Sequence, residues 1–374
     1  MTGLLNDAEV IERIFGHMDA GTTDLGDRVW REPVENYRSE DRFQRELALL
    51  RRVPVPFCPA AALPDAGSFV ARTAAATPLL AVRGDDGVIR VFRNICRHRG
   101  MAVAEGTGCA RAFVCPYHSW TYGLDGRLKH VTGDEGFPDL DPETHGLVPV
   151  VAEERSGLVF VTQDDPVSEG ALEGLPELLT PDQEVFDSRE FADEANWKLI
   201  AETSMEGYHI KALHNRTFYP YGFDNLNVVE TYGANSRVIF PFRRIEKLRD
   251  IPPDERRIRG MVTDVHQLFP NTHLSHLSNH TMMTILEPET PTRTRYVIYT
   301  LSAPGSERGA QDRADKKQDA DFVKDTGLME DRYAACTIQA GLAGEANTHF
   351  TFGRYEKAIV HFHAKLDALL AEVP

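Results

Sequence analysis

Cysteine is scarce in this chain: five residues among 374, an odd number without regular spacing. Such a set does not make the disulfide framework of a small secreted domain, and paired cysteines in a reduced chain more often hold metal. Positive charge is also in deficit, with 41 Lys and Arg against 57 Asp and Glu and a formal net charge of -16. An acidic surface repels phosphate backbones and anionic lipid, so nucleic acid and membrane are not expected partners. No apolar run approaches the length of a membrane span. The opening stretch MTGLLNDAEVIERIFGHMDAG lacks both the basic start and the apolar run of an export signal, so a cytoplasmic location is expected. Two electron-transfer signatures are missing as well. Gly106-Thr107-Gly108 is too short for a dinucleotide fingerprint and lacks its third glycine, and there is no plant-type ferredoxin cysteine run.

What is present is an ordinary globular mixture, 42% hydrophobic and 26% charged, long enough for two domains. Leu5, Val10, Ile11, Ile14, Phe15 and Met18 fall near one face of an amphipathic helix, with Asn6 or Asp7 as its cap. A second helix runs from Ser39 through Phe43, Leu47 and Leu50 until Pro54 stops it. Short strands with turn signals follow. Leu79 to Val82 and Val88 to Phe92 flank Gly84-Asp85-Asp86-Gly87 as a hairpin, and Trp120 to Tyr122 and Arg127 to His130 flank a turn at Asp125-Gly126. This pattern outlines a small β domain over about 40–165. The remainder reads as α+β: a helical segment near Asn196 to His214, strands at Val228 to Thr231, Val238 to Phe240, Thr281 to Leu286 and Arg295 to Leu301, a loop over Ser302 to Ala320, and helices over Phe322 to Leu342 and Tyr355 to Leu370.

Cys96-Arg97-His98 is followed, after sixteen residues, by Cys115-Pro116-Tyr117-His118. A structural zinc site with two cysteines and two histidines is one reading, although zinc fingers usually pair like with like along the chain. Here each loop supplies one thiol and one imidazole. That mixture suits a two-iron cluster in which one iron takes both thiolates and the other both imidazoles. The segments Asn94-Ile95-Cys96-Arg97-His98-Arg99-Gly100 and Cys115-Pro116-Tyr117-His118-Ser119-Trp120-Thr121-Tyr122 resemble the ligand loops of the Rieske [2Fe–2S] domain, more narrowly that of ring-hydroxylating oxygenase large subunits. Cys58, Cys109 and Cys336 have no such partner and read as buried apolar residues.

The second constellation lies in Asn196 to His214. Glu206 and His209 are three apart, which on a helix is one face. His209 and His214 are five apart, about 140° around a regular helix, and converge only if the helix ends, tightens or bulges between them, a local distortion that Gly207 would ease or a π-bulge supply. A zinc protease would space its histidines by four, with Glu between. Downstream of a Rieske domain the pattern resembles the mononuclear iron motif of the same family. The resemblance implies His209 and His214 as Fe(II) ligands and a later carboxylate, taken as Asp331 before Gln339-Ala340-Gly341-Leu342, with Glu330 and Asp325 as alternatives. It implies that Glu206, where many members carry Asp, bridges the iron-bound His209 to the Rieske histidine His118 of a neighbouring subunit. Glu at this place resembles relatives that oxidise quaternary amines.

The resemblance, which spans nearly the whole chain, implies an α+β architecture: N-terminal helices over 1–40 packing on the catalytic domain, an all-β Rieske domain over 41–165, and an antiparallel-sheet catalytic domain with helices over 166–374. The implied function is the terminal oxygenase component of a Rieske system. It would carry a [2Fe–2S] cluster and mononuclear Fe(II), take electrons from a separate NAD(P)H-dependent reductase with or without a ferredoxin, and use O2 to hydroxylate an aromatic or other hydrophobic substrate. The alternatives are a monooxygenase of quaternary ammonium or methylated substrates and a Rieske electron carrier without chemistry of its own. Assembly as a homotrimer, or a multiple of it, is implied because the short electron route runs between subunits. Other features rank lower. His266, His273, His276 and His280 read as packing or surface residues, His361 and His363 as structural, and Arg243-Arg244 and Arg256-Arg257, beside Glu246, Asp254 and Glu255, as a mixed solvated face.

Overall fold

The structure is a computed structural model that describes residues 3–305 and 329–373. The chain divides into two compact units: Met1–Leu50, Val167–Pro176 and Asp182–Pro374 form the larger, and Arg51–Pro166 with Glu177–Pro181 the smaller. Among the described residues no helix is long and apolar enough to cross a membrane.

The smaller unit is built from antiparallel strands. Seven of them lie in the order Val55–Pro59, Leu158–Thr162, Pro149–Arg155, Ile89–Arg93, Thr77–Arg83, Ser68–Ala74 and Gly106–Cys109. The Gly84–Gly87 turn closes a hairpin in which Arg83 opposes Ile89 and Leu80 opposes Phe92. A three-stranded sheet of Phe113–Val114, Thr121–Tyr122 and Leu128–His130 carries the second Cys/His loop at its first connection. Leu80, Phe92, Phe113, Trp120 and Tyr122 pack with Cys96 and Cys115 into one core. Cys58 is buried as expected, whereas Cys109 is exposed and Cys336 half-buried. Cys109 sits on the outermost strand of its sheet, where one side lacks a neighbouring strand to cover it.

The larger unit is organised on a seven-stranded antiparallel sheet in the order Val185–Asp193, Arg293–Ser302, His280–Thr290, Thr272–His276, Val262–Leu268, Asn235–Pro241 and Val228–Tyr232. The N-terminal helix Asp7–Ala20 begins with a capping box, since Asn6 accepts from the Glu9 amide and Glu9 accepts in return from the Asn6 amide. It ends at Gly21, whose φ of 62° is the left-handed cap that glycine adopts without a steric penalty. Its face of Val10, Ile11, Ile14 and Phe15 packs on Val228, Ile239, Ile245 and Val262. Ile11 and Ile14 are fully buried, each contributing roughly 1.5–3 kcal/mol.

Sequence periodicity placed one helix over Asn196 to His214; the structure has two. Asn196 caps Trp197–Thr203, the chain then leaves helical geometry, and a single turn resumes at Ile210–Leu213. Late in the chain helices span Met329–Gly341 and Lys357–Leu370. The expected loop over 306–320, the helix start before Met329 and the alternative ligand Asp325 lie outside the described residues.

Candidate functional site

In the smaller unit two tight loops present the four Cys/His side chains. The first is closed by Cys96 N donating to Met101 O and Gly100 N donating to Cys96 O, with Gly100 at φ 84°. The second is closed by Cys115 N donating to Trp120 O and Ser119 N donating to Cys115 O. Both thiols are buried, each residue 2% exposed. The His98 and His118 rings lie 4.6 Å apart, with His98 stacked on Trp120 and His118 on Tyr117. Burial, reinforced by His118, holds His98 below the ordinary histidine value and so in its neutral, metal-binding form. His98 Nδ1 and His118 Nδ1 are buried without a hydrogen-bond partner among the described residues. Two orphaned imidazole nitrogens beside two buried thiols are a donor set that fits a [2Fe–2S] cluster. A single zinc ion would need its four donors about 3.5–3.8 Å apart. Among the described residues, the one group of three or more donors that all lie within 4.8 Å is elsewhere, at His209, His214 and Asp331.

That second group is assembled by the broken helix. His209 is the N-cap residue of Ile210–Leu213 and His214 its C-cap, so the five-residue spacing spans one short turn with both ends turned inward. Glu206 is not on the same helix face as His209, contrary to the sequence expectation. It lies in the connecting loop, and its carboxylate reaches back to accept from the backbone amides of Tyr208 and His209 and from His209 Nδ1. Gly207 does not relieve helical strain either. A Cβ there would run into the Asn227 side-chain amide, so the residue allows close packing.

The two histidines are held alike. Glu206 takes His209 Nδ1, and Glu330 takes His214 Nδ1 at 2.7 Å while also accepting from Thr217 Oγ1. Both Nε2 atoms then point at Asp331 Oδ1, at 3.5 Å from His209 and 3.0 Å from His214. Asp331 Oδ1 is buried and has no hydrogen bond among the described residues, as an oxygen reserved for a cation would be. Glu330, an alternative ligand by sequence, therefore stands behind His214 rather than beside Asp331. Burial opposes charging both rings, but the Glu206 and Asp331 carboxylates outweigh it for His209 and those of Asp331 and Glu330 for His214, leaving both above the ordinary value. Glu356 is pushed up to about 7 by burial and by the facing charges of Glu206 and Glu202, a residue sequence reasoning did not single out.

The three donors open onto a cavity of about 770 Å³, walled largely by apolar and aromatic side chains that include Phe218, Tyr221, Phe223, Phe240 and Phe242. Arg243 and Arg244 also line it while remaining exposed, so they are solvated as expected but face the cavity rather than their acidic neighbours. Arg256 belongs to neither group: it is buried, pairs with Glu12 and lies over Phe15. His266, His273 and His280 are buried in the sheet, and His363 is enclosed with Tyr37 and Glu202.

Comparison with known proteins gives two family matches: the Rieske [2Fe-2S] domain over residues 53–141 and the ring hydroxylating alpha subunit catalytic domain over residues 182–372. The glycine betaine monooxygenase oxygenase subunit of Chromohalobacter salexigens is 37% identical over 159 residues, 41% of this chain and 36% of that protein. The carnitine monooxygenase oxygenase subunit of Escherichia coli K12 is 33% identical over 196 residues, 50% of this chain and 52% of that protein. The chain thus matches about a third to a half of the length of these relatives. A solved quaternary ammonium Rieske monooxygenase has the same fold, with a TM-score of 0.78 at 21% identity over 99% of each chain.

Proposed function

The chain belongs to the ring-hydroxylating oxygenase alpha-subunit family, and from that premise we propose that it is the terminal oxygenase of a Rieske system. The observation that carries the reading is the convergence of His209 Nε2, His214 Nε2 and the orphaned Asp331 Oδ1 at the wall of a large apolar cavity. An electron carrier would leave that arrangement idle. Two neutral imidazoles and one carboxylate, grouped on one side, are the donor set of non-heme Fe(II) oxygenases. Cys96, His98, Cys115 and His118 would hold the cluster, and His209, His214 and Asp331 the iron. When bound, the cluster supplies single electrons and the iron activates O2 beside the substrate.

The chain's own residues prepare both sites. Tyr122 Oη accepts from Arg97 N at 2.9 Å, so its own proton is free to turn toward Cys96 Sγ at 3.3 Å and partly neutralise that sulfur. Glu206 and Glu330 keep the protons of His209 and His214 on Nδ1, leaving each Nε2 lone pair for the metal. The aromatic walls exclude water and seat an apolar body. In a ring of three copies, Glu206 would join His209 of one copy to His118 of the next. Its Oε2 already accepts from the Tyr208 and His209 amides, whereas Oε1 accepts from His209 Nδ1 alone and has a second lone pair to offer.

A second reading, monooxygenation of a quaternary ammonium or methylated substrate, is favoured by Glu206 at the bridging position and by the relatives named for glycine betaine and carnitine. The separate reductase, with or without a ferredoxin, remains part of the proposal. The test is O2 uptake by iron-loaded protein with a photochemical reductant and a substrate panel. At least one organic substrate should raise uptake and yield a hydroxylated or demethylated product in proportion. Uptake that never responds to substrate, with only peroxide formed, would reject the assignment.

A further inference from the structure

Arg243 and Arg244 stand on the cavity wall just beyond strand Asn235–Pro241. The chain has sixteen more acidic than basic side chains, and many of its arginines are paired with them, although others, such as Arg97, Arg257 and Arg259, bond backbone carbonyls instead. Arg237, Arg249, Arg256, Arg293, Arg295 and Arg332 each lie within ion-pair distance of a carboxylate. Arg243 and Arg244 pair with no carboxylate among the described residues, Glu206 and Asp331 in the same cavity included. Neutral groups hold them instead. The Arg243 guanidinium lies over the Tyr219 and Phe223 rings at 5.3 and 5.2 Å, with Nη2 donating to Tyr219 O at 3.4 Å. The Arg244 guanidinium lies over Phe242 at 4.8 Å, with Nη2 donating to Ser278 Oγ at 2.7 Å.

We propose that Arg243 and Arg244 form a carboxylate anchor, and that the substrate is an organic monocarboxylate seated with its acid group on this pair. The proposal rests on the oxygenase reading for its chemistry, but the binding it describes can be measured without turnover. Ring stacking restrains each guanidinium before binding, so little side-chain entropy is lost when the acid arrives. The planar forks match a carboxylate and would bond it with charge assistance. An acid group held on the arginine pair leaves the other end of the molecule free to reach the iron ligands, which line the same cavity. The strongly negative chain disfavours a dianion such as a phosphate ester over a monoanion, and the arginine pair disfavours a substrate carrying only positive charge.

The experiment is calorimetric titration of the iron-loaded protein with benzoate, phenylacetate and hexanoate, each against its primary amide, and with benzylphosphonate. Wild type should bind at least one acid roughly tenfold or more tighter than its amide. In Arg243→Gln/Arg244→Gln that preference should fall to about twofold or less while amide affinity changes much less, because the acid loses a charge-assisted bond and the amide only a neutral one. Both side chains are exposed, and a thermal melt matching wild type establishes that the variant is folded. Equal binding of acid and amide, an acid preference that survives in the double variant, absence of acid binding altogether, or tighter binding of the phosphonate would each overturn the anchor. O2 uptake on the same preparations separates the two levels. Substrate-coupled uptake without acid preference rejects the anchor alone, whereas acid preference without coupled uptake upholds the anchor and rejects the oxygenase reading.

Discussion

Tyr122 shows how one side chain can set the character of the smaller unit's site. Its hydroxyl accepts from the Arg97 amide, and that contact frees its proton for Cys96 Sγ. Burial first, then the bond to Cys96, holds the phenol well above the ordinary tyrosine range, so it remains a donor at any physiological pH. Tyr122→Phe should leave the cluster in place and lower its potential by roughly 20–70 mV, the one-electron equivalent of a ~0.5–1.5 kcal/mol hydrogen bond. A redox titration followed by visible absorbance measures this, and an unchanged midpoint would show that the hydroxyl does not bond to the sulfur. Glu206 acts comparably in the larger unit by fixing His209 Nδ1. Glu206→Gln keeps the length and one acceptor but removes the charge. If Glu206 also joins neighbouring copies, the pre-reduced variant should retain both metal sites yet reoxidise its cluster at least tenfold more slowly on mixing with O2 and substrate. Wild-type reoxidation kinetics would remove the bridge from the account.

At the scale of the element, the break between Trp197–Thr203 and Ile210–Leu213 is what allows His209 and His214 to face one oxygen. Gly207 belongs to that break, since any side chain there would displace the Asn227 amide. Gly207→Ala should cost about 1–3 kcal/mol in a denaturant titration and reduce iron retention after dialysis. Unaltered stability and iron content would mean that the loop has room to spare. The sheet makes a pH prediction. Burial lowers His266 to about 4 and His273 to about 3, so both stay neutral in the folded chain while unfolded histidine titrates near 6.5. The unfolded state then binds more protons below that value. The stability these rings contribute is complete above ~6.5 and is lost as pH falls toward 4 and then 3, by roughly 2 kcal/mol per ring between about pH 7 and pH 5. His273→Leu should flatten this dependence in urea titrations at the two pH values; an equally steep variant would contradict it.

These elements also show what could be read beforehand. The Cys96 to His118 loops are contiguous motifs, and the Gly84–Gly87 hairpin has a local turn signal, so both were legible from residue order. The capping box at Asn6 and Glu9 was half legible, as a cap without its reciprocal bond. The helix break was legible only as a need for distortion between the two histidines; it falls earlier, over 204–209, where Gly207 packs against the Asn227 amide, a contact between distant residues. Arg243 and Arg244 were legible only in part, for a related reason. Their acidic neighbours along the chain suggested a mixed solvated face; both are exposed, but the strand end turns them onto the cavity wall, which residue order does not show.

For the whole molecule, the proposal requires two different metal sites in one chain: an orphaned imidazole pair with buried thiols in the smaller unit, and the His209, His214 and Asp331 group in the larger. A closed ring is consistent with the proposed Glu206 bridge, because each copy would offer His118 to one neighbour and receive one from the other, and the resemblance to ring-hydroxylating oxygenases implies three copies. Sedimentation of the loaded protein should therefore show a trimer or a multiple of it, and a fully active monomer would contradict the ring. The central claim is that the second group holds a catalytic iron, and metal analysis of anaerobically loaded wild type beside Asp331→Ala tests it most directly. The account predicts three irons per wild-type chain, two in the variant, an identical visible cluster spectrum in both and no turnover in the variant. Equal iron content in the two proteins, or an active Asp331→Ala, would contradict it.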